Sequence, residues 1–345
     1  MKRLLEFINE ALQINESVSA EEIIKKLPKT NQLPSYVKKL NMMLKDKDCE
    51  SILNKAFGEY KGEDGYDFNV SDMDSVVNKL HPTQNEIDVD KSLGFPFGDT
   101  EKAEINTKKF YAEDQPVVEM PFPLITFGDG DEKYIIDGHH RWSQVFAFNP
   151  NAKMKCFNLT VKGGKTKLTA NDVLKICQGF IAARAAKNNL KQLGSAKAGQ
   201  INALTDSKDK ILGKVQEYCE KNQDAAEIIR KAISDYYSER EEQFAGVMKN
   251  ANVDEEHQTK IKESLSKEKE FDGLAAYLAA DLLVLQNLNK KYVAKAKDNV
   301  RAVMPQTDTG GTDPKNSKTA LPDAEGSALN NMTKGKVDPS VVKTK

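Results

Sequence analysis

The chain has 345 residues, of which 30% are charged, with a formal net charge of −1 and a mean hydropathy of −0.60. The length gives room for about two or three ordinary domains with real cores. The charge balance excludes a protein whose whole surface grips nucleic acid and leaves only a local basic patch open.

At the N-terminus Leu4, Leu5, Ile8, Ala11 and Leu12 form a helical stripe, so residues 2–14 are expected as a short amphipathic helix. Glu6, Asn9 and Glu10 interrupt it, which argues against a signal peptide or membrane span and places the protein in the cytoplasm or in a particle assembled there. Ser19 with Glu22 is a capping box, and Pro34-Ser35 opens a second helix through Val37, Leu40 and Leu44. A third is expected over Cys49 to Phe57, so residues 1–60 read as a helical N-terminal unit. Between Gly58 and Asp74 the chain is acidic and Gly-rich and reads as a linker, with a spacing that does not fit an EF-hand calcium loop.

Residues 76–165 alternate strand and helix signals. Val76, Val77 and Leu80 lead into His81-Pro82-Thr83-Gln84, and a helix is expected to start at Asp88-Val89-Asp90-Lys91. A second helical stretch runs from Thr100 to Ala112. Phe122 to Phe127 reads as a strand and Gly128-Asp129-Gly130-Asp131 as a hairpin turn, because Asp-Gly accommodates positive φ. Tyr134 to Ile136 is the next strand, broken by Asp137-Gly138. Trp142, Val145 and Phe146 then recur on one helical face until Asn149-Pro150 stops the helix, and Lys153 to Val161 supplies a last strand. Gly164-Lys165-Thr166 looks like the end of a P-loop, but Leu159 stands where its first glycine belongs, so the segment reads as a turn.

From Thr169 to Val300 the composition is helix-forming, and four or five helices are expected. Thr169 with Asp172 and Asp224 with Glu227 resemble capping boxes, and Leu274, Leu278, Leu282, Leu285 and Leu288 line one face of a long final helix. Tyr236, Tyr237 and Phe244 read as core. Residues 304–345 hold few large apolar side chains and are expected as a disordered tail, or as a segment extended against a partner. Cys49, Cys156, Cys177 and Cys219 lack CxxC spacing, which argues against a zinc site or disulfide framework and fits a reducing compartment.

Candidate chemistry gathers at the turn from strand to helix. A helix N-terminus presents unpaired N–H groups and the positive end of its dipole, so Gly138, His139, His140 and Arg141 favour an anion such as phosphate. Arg141 can fork across two phosphate oxygens, Lys91 can add a point charge, and His140 can donate a hydrogen bond. Asp137 can hold Mg²⁺ or orient a histidine. Two other readings stay open: direct transition-metal ligation by Asp137, His139 and His140, and a purely structural role in which His140 and Arg141 cap and pair within the fold.

The order Leu80-x-Pro82-x-Gln84, then Lys91, then Gly138-His139-His140-Arg141 resembles the ParB/sulfiredoxin superfamily over residues 76–165. The resemblance implies an α+β fold: a ParB/sulfiredoxin-like mixed domain flanked by a helical N-terminal unit (1–60) and a helical C-terminal domain (169–300), with a disordered tail. Sulfiredoxins carry Gly-Cys-His-Arg, and His139 here replaces the cysteine, so sulfinic acid reduction is not expected. His140 and Arg141 match that motif, and Lys91 resembles its nucleotide-binding lysine. ParB proteins carry Gly-Glu-Arg-Arg and bind CTP; only Gly138 and Arg141 correspond, and no recognition-helix pattern is evident between Thr169 and Leu204. The Asp-Gly-His-His-Arg form is also similar to ParB-like small-molecule kinases, for which Glu86 or Asp88 would be the candidate base.

The resemblance therefore implies binding of a nucleoside triphosphate, ATP or CTP, with Mg²⁺, followed by hydrolysis or phosphoryl transfer. Lys91, Gly138, His139, His140 and Arg141 would hold the nucleotide, Asp137 the metal, and Asp137, His140 and Glu86 would serve the chemistry. A second expectation comes from Met1, Lys2, Glu6, Phe7, Ile8 and Glu10, which resemble the capsid-targeting peptide of internal head proteins in tailed phages. It implies a virion-associated protein with head or assembly proteins as partners. A third is a ParB-like nuclease or DNA-binding protein; no membrane partner is expected.

Overall fold

The computed structural model describes residues 67–84, 86–120, 123–130, 132–163, 167–170, 173 and 201–296. A six-stranded mixed sheet is built from β1 (Asp67–Val76), β2 (Leu80–Pro82), β3 (Val117–Val118), β4 (Leu124–Phe127), β5 (Lys133–Asp137) and β6 (Lys153–Lys162). The order is β1-β6-β4-β5-β2, with β3 alongside β6. β1 and β6 pair antiparallel from Asp67 opposite Lys162 to Val76 opposite Lys153, and β4 pairs antiparallel with β5. The β4–β6, β3–β6 and β2–β5 pairs are parallel.

Eight helices accompany the sheet among the described residues: α1 (Val89–Leu93), α2 (Thr100–Phe110), α3 (His139–Phe148), α4 (Lys208–Lys221), α5 (Gln223–Ser238), α6 (Glu241–Asn250), α7 (Glu255–Ser266) and α8 (Asp272–Ala296). The apolar face of α3 is buried as its spacing predicts, with Trp142, Val145 and Phe146 fully enclosed and Trp142 Nε1 donating to Val77 O at 2.8 Å. Asn149, in extended backbone ahead of Pro150, ends this helix and donates from Nδ2 to Phe110 O at 2.7 Å. The leucine stripe of α8 is also buried, with Leu274, Leu278, Leu282 and Leu285 enclosed and Leu288 partly so. α8 packs on α3, α4, α6, α7 and β2, while α2 packs on α5. One continuous cluster of buried side chains thus runs from Val77 and Leu80 through Trp142 and Phe148 to Ile229, Tyr277 and Leu285. No helix among the described residues is long and apolar enough to cross a membrane.

Two expectations are corrected. Asp67 to Asp74, read as the end of a linker, form most of β1, because exposed Ser71, Asp72 and Asp74 leave the backbone ladder to β6 intact while Val70 and Met73 are half-buried. The Asp224–Glu227 pair is not a capping box: α5 begins at Gln223, and Glu227 instead accepts from the Arg230 guanidinium. The expected unit 1–60, the linker up to residue 66, Phe122, residues 164–166, Asp172, residues 174–200 and the tail 304–345 lie outside the described residues.

Candidate functional site

The site is built where β5 hands the chain to α3. Gly138 adopts φ +101°, in the left-handed region, and a Cβ there would sit 2.6 Å from Leu124 Cδ2 and 2.8 Å from Arg141 Nη2. Only glycine combines that backbone with so close an approach. Gly138 offers no side chain to cap α3, and no acidic residue stands in the first turn of the helix to offset its dipole.

Arg141 folds back over this glycine. Its Nη2 lies 2.9 Å from Asp137 Oδ2 and 3.4 Å from Pro123 O, while its buried Nε meets no hydrogen-bond partner among the described residues. The Asp137 and Arg141 side chains keep 19% and 25% of their surface exposed, so solvent reaches the pair.

The two histidines point to different ends of the β2–α1 loop. His139 is enclosed, and its Nε2 accepts the Thr83 N–H at 3.0 Å. Thr83 Oγ1 donates to Ile135 O at 2.6 Å and lies 3.3 Å from the same imidazole nitrogen. His140 Nε2 accepts the Asp88 N–H at 3.3 Å. The two rings therefore diverge, and among the described residues no three His, Cys, Asp or Glu side chains gather to hold a metal, so the direct transition-metal reading of Asp137, His139 and His140 fails.

Lys91 stands on α1. This helix is docked on α3 by the Ser92–Ser143 hydroxyl pair at 2.8 Å and by Gln144 Nε2 donating to Lys91 O at 2.9 Å. Lys91 itself is exposed, and its charge acts on Asp88. Asp88 caps α1 by accepting the Asp90 N–H at 3.0 Å; burial raises its carboxyl above the ordinary range, against the opposing pull of Lys91. Asp88 is therefore committed to structure, which leaves Glu86, half-buried on the same loop, as the carboxylate nearest to the sequence expectation of a base.

Several residues that set this geometry escaped the sequence reading. Asp90 Oδ1 takes the Tyr218 hydroxyl at 2.8 Å and the Lys214 ammonium at 3.1 Å, which clamps α1 to α4. Asn202 Oδ1 accepts the Ile87 and Leu204 N–H groups, and Val89 and Ala203 complete the tie through Ile201 O and Ile87 O. Thr83, between two residues read only for motif spacing, carried a signal in its hydroxyl at a strand exit. Asn202 and Tyr218 carried none for the site, since Ile87 and Asp90 lie more than a hundred positions before them.

The fold defines a mixed α+β protein, with a helix N-terminus, an arginine and a carboxylate side by side at the turn from β5 to α3. No protein-family model matches the chain, and no curated protein or solved structure matches it.

Proposed function

We propose that the chain binds a nucleoside triphosphate, ATP or CTP, with Mg²⁺ at the N-terminus of α3, and hydrolyses it or transfers a phosphoryl group. The observation that carries this reading is the glycine-opened, uncapped first turn of α3 beneath a folded-back arginine. A phosphate oxygen there would complete the buried Arg141 Nε and meet the positive end of the helix dipole. The resemblance to the ParB/sulfiredoxin superfamily supports the same ligand through Lys91 and Arg141.

The residues present fit the group. Mg²⁺ usually takes one or two protein carboxylates plus phosphate oxygens and water, and Asp137 supplies one carboxylate beside the turn. When bound, the metal would neutralise charge on the phosphates. Arg141 then exchanges Asp137 for phosphate, Lys91 adds its point charge from α1, and Gly138 lets the backbone approach closely. Glu86 is the carboxylate we assign to accept the proton of an attacking water or hydroxyl.

Calorimetric titration of the full chain with ATP and with CTP, each with Mg²⁺, tests the reading. Saturable binding is expected, and Arg141→Ala should weaken it by about tenfold to a hundredfold, the worth of a hydrogen bond to a charged group. Its melting temperature should stay close to that of the parent. Absence of saturable binding to either nucleotide overturns the proposal.

A further inference from the structure

We infer that Thr83, His139 and His140 are positioning residues that latch the β2–α1 loop across the N-terminus of α3, rather than ligands of the phosphates. The inference rests on the nucleotide reading above and deepens it. A backbone N–H can donate to an imidazole nitrogen only where that nitrogen keeps its lone pair. The Thr83 and Asp88 amides, 3.0 Å and 3.3 Å from the two Nε2 atoms, therefore hold both rings neutral, with the ring proton on Nδ1.

The two amides come from opposite ends of one loop. His139 takes the end that leaves β2, and His140 takes the end that starts α1. Neighbouring residues on a helix point about 100° apart, so adjacent histidines suit two separated anchor points better than one ligand. Thr83 adds a third tie, since its hydroxyl donates to Ile135 O on β5, the strand that delivers Asp137. Glu86 is carried between the ties, so its place relative to Asp137 and Gly138 is set by the latch. Positive charge is left to Arg141, Lys91 and the helix dipole.

The test compares His140→Gln with His140→Leu in the full chain. Glutamine can offer its side-chain carbonyl oxygen near the place of Nε2, whereas leucine offers no acceptor. With ATP or CTP and Mg²⁺, the leucine variant should release phosphate about tenfold to a hundredfold more slowly, the cost of a small misplacement, while its affinity stays near the parent value. Glutamine should restore most of the rate. In parallel, the Asp88 amide should exchange slowly with solvent in the parent and the glutamine variant and fast in the leucine variant. If glutamine weakens nucleotide binding as much as leucine does, the ring is a ligand and the latch is overturned. His140→Ala repeats the comparison should the leucine chain fold poorly. A parent chain that fails to bind or turn over either nucleotide removes the nucleotide reading and leaves the latch to amide exchange. Rapid exchange of Thr83 and Asp88 in the parent overturns the latch, and slow exchange restored by glutamine upholds it.

Discussion

Asp281 stands on α8 with no exposed surface, and among the described residues neither carboxyl oxygen meets a partner at hydrogen-bonding geometry. Its polar neighbours are Tyr277 and Tyr237, whose hydroxyls are 2.5 Å apart, and Tyr111. Burial drives the carboxyl well above its ordinary value of 3.8, and the Tyr277 hydroxyl offsets only part of that rise. The folded chain thus keeps a proton that the unfolded chain releases, so this residue's contribution to stability declines as pH climbs from 3.8 through the raised folded value. Asp281→Asn carries no such proton and should flatten the decline. Urea midpoints at about pH 5 and about pH 8 read it out: the gap should narrow in the variant, and equal gaps would contradict the assignment. The place of Asp281 on the buried face, three residues after Leu278 and four before Leu285, follows from the spacing of the leucine stripe. The need for Gly138 was equally legible from the strand-breaking Asp-Gly, whereas the neutral state of the histidines depends on amides fifty or more positions away.

Among the elements, α1 shows how a weak segment is held in place. Five residues are too few for a helix to persist alone, and α1 depends on its Asp88 cap, its seat on α3 and the Asp90 clamp from α4. Tyr218→Phe removes one arm of that clamp while keeping the ring that lies 5.6 Å from Phe97. It should cost about 0.5–1.5 kcal/mol, the net worth of one hydrogen bond. In a double-mutant cycle with Asp90→Asn the losses should be non-additive; strict additivity would mean the clamp contributes nothing. Elements whose signal is local were legible: the Gly-Asp-Gly hairpin, α3 with its Asn-Pro stop, and the leucine face of α8. β1 was not. Its acidic residues imitate a linker, and only pairing with β6 across the length of the mixed segment reveals a strand.

At the scale of the molecule, the sheet and the C-terminal helices share one core, with α8 lying against both α3 and β2. The sequence suggested a helical region by composition, but composition cannot say whether two regions bury the same surface. Trp142, the sole tryptophan, reports on the sheet side of that core, whereas far-ultraviolet dichroism is dominated by the helices. Thermal unfolding followed by tryptophan fluorescence and by dichroism should therefore trace one coincident transition. Two separated midpoints would show that the halves unfold independently.

Asn202 has a further consequence, which concerns time. It receives Ile87 from 115 positions upstream and is itself steadied by its own N–H donating to Asp206 Oδ2 at 2.7 Å. A chain made from its N-terminal end cannot add this tie to the segment bearing Glu86 and Lys91 until Asp206 has emerged. The motif residues all exist well before that moment, and a fragment ending short of Asp206 would keep every letter of the motif while lacking its buckle.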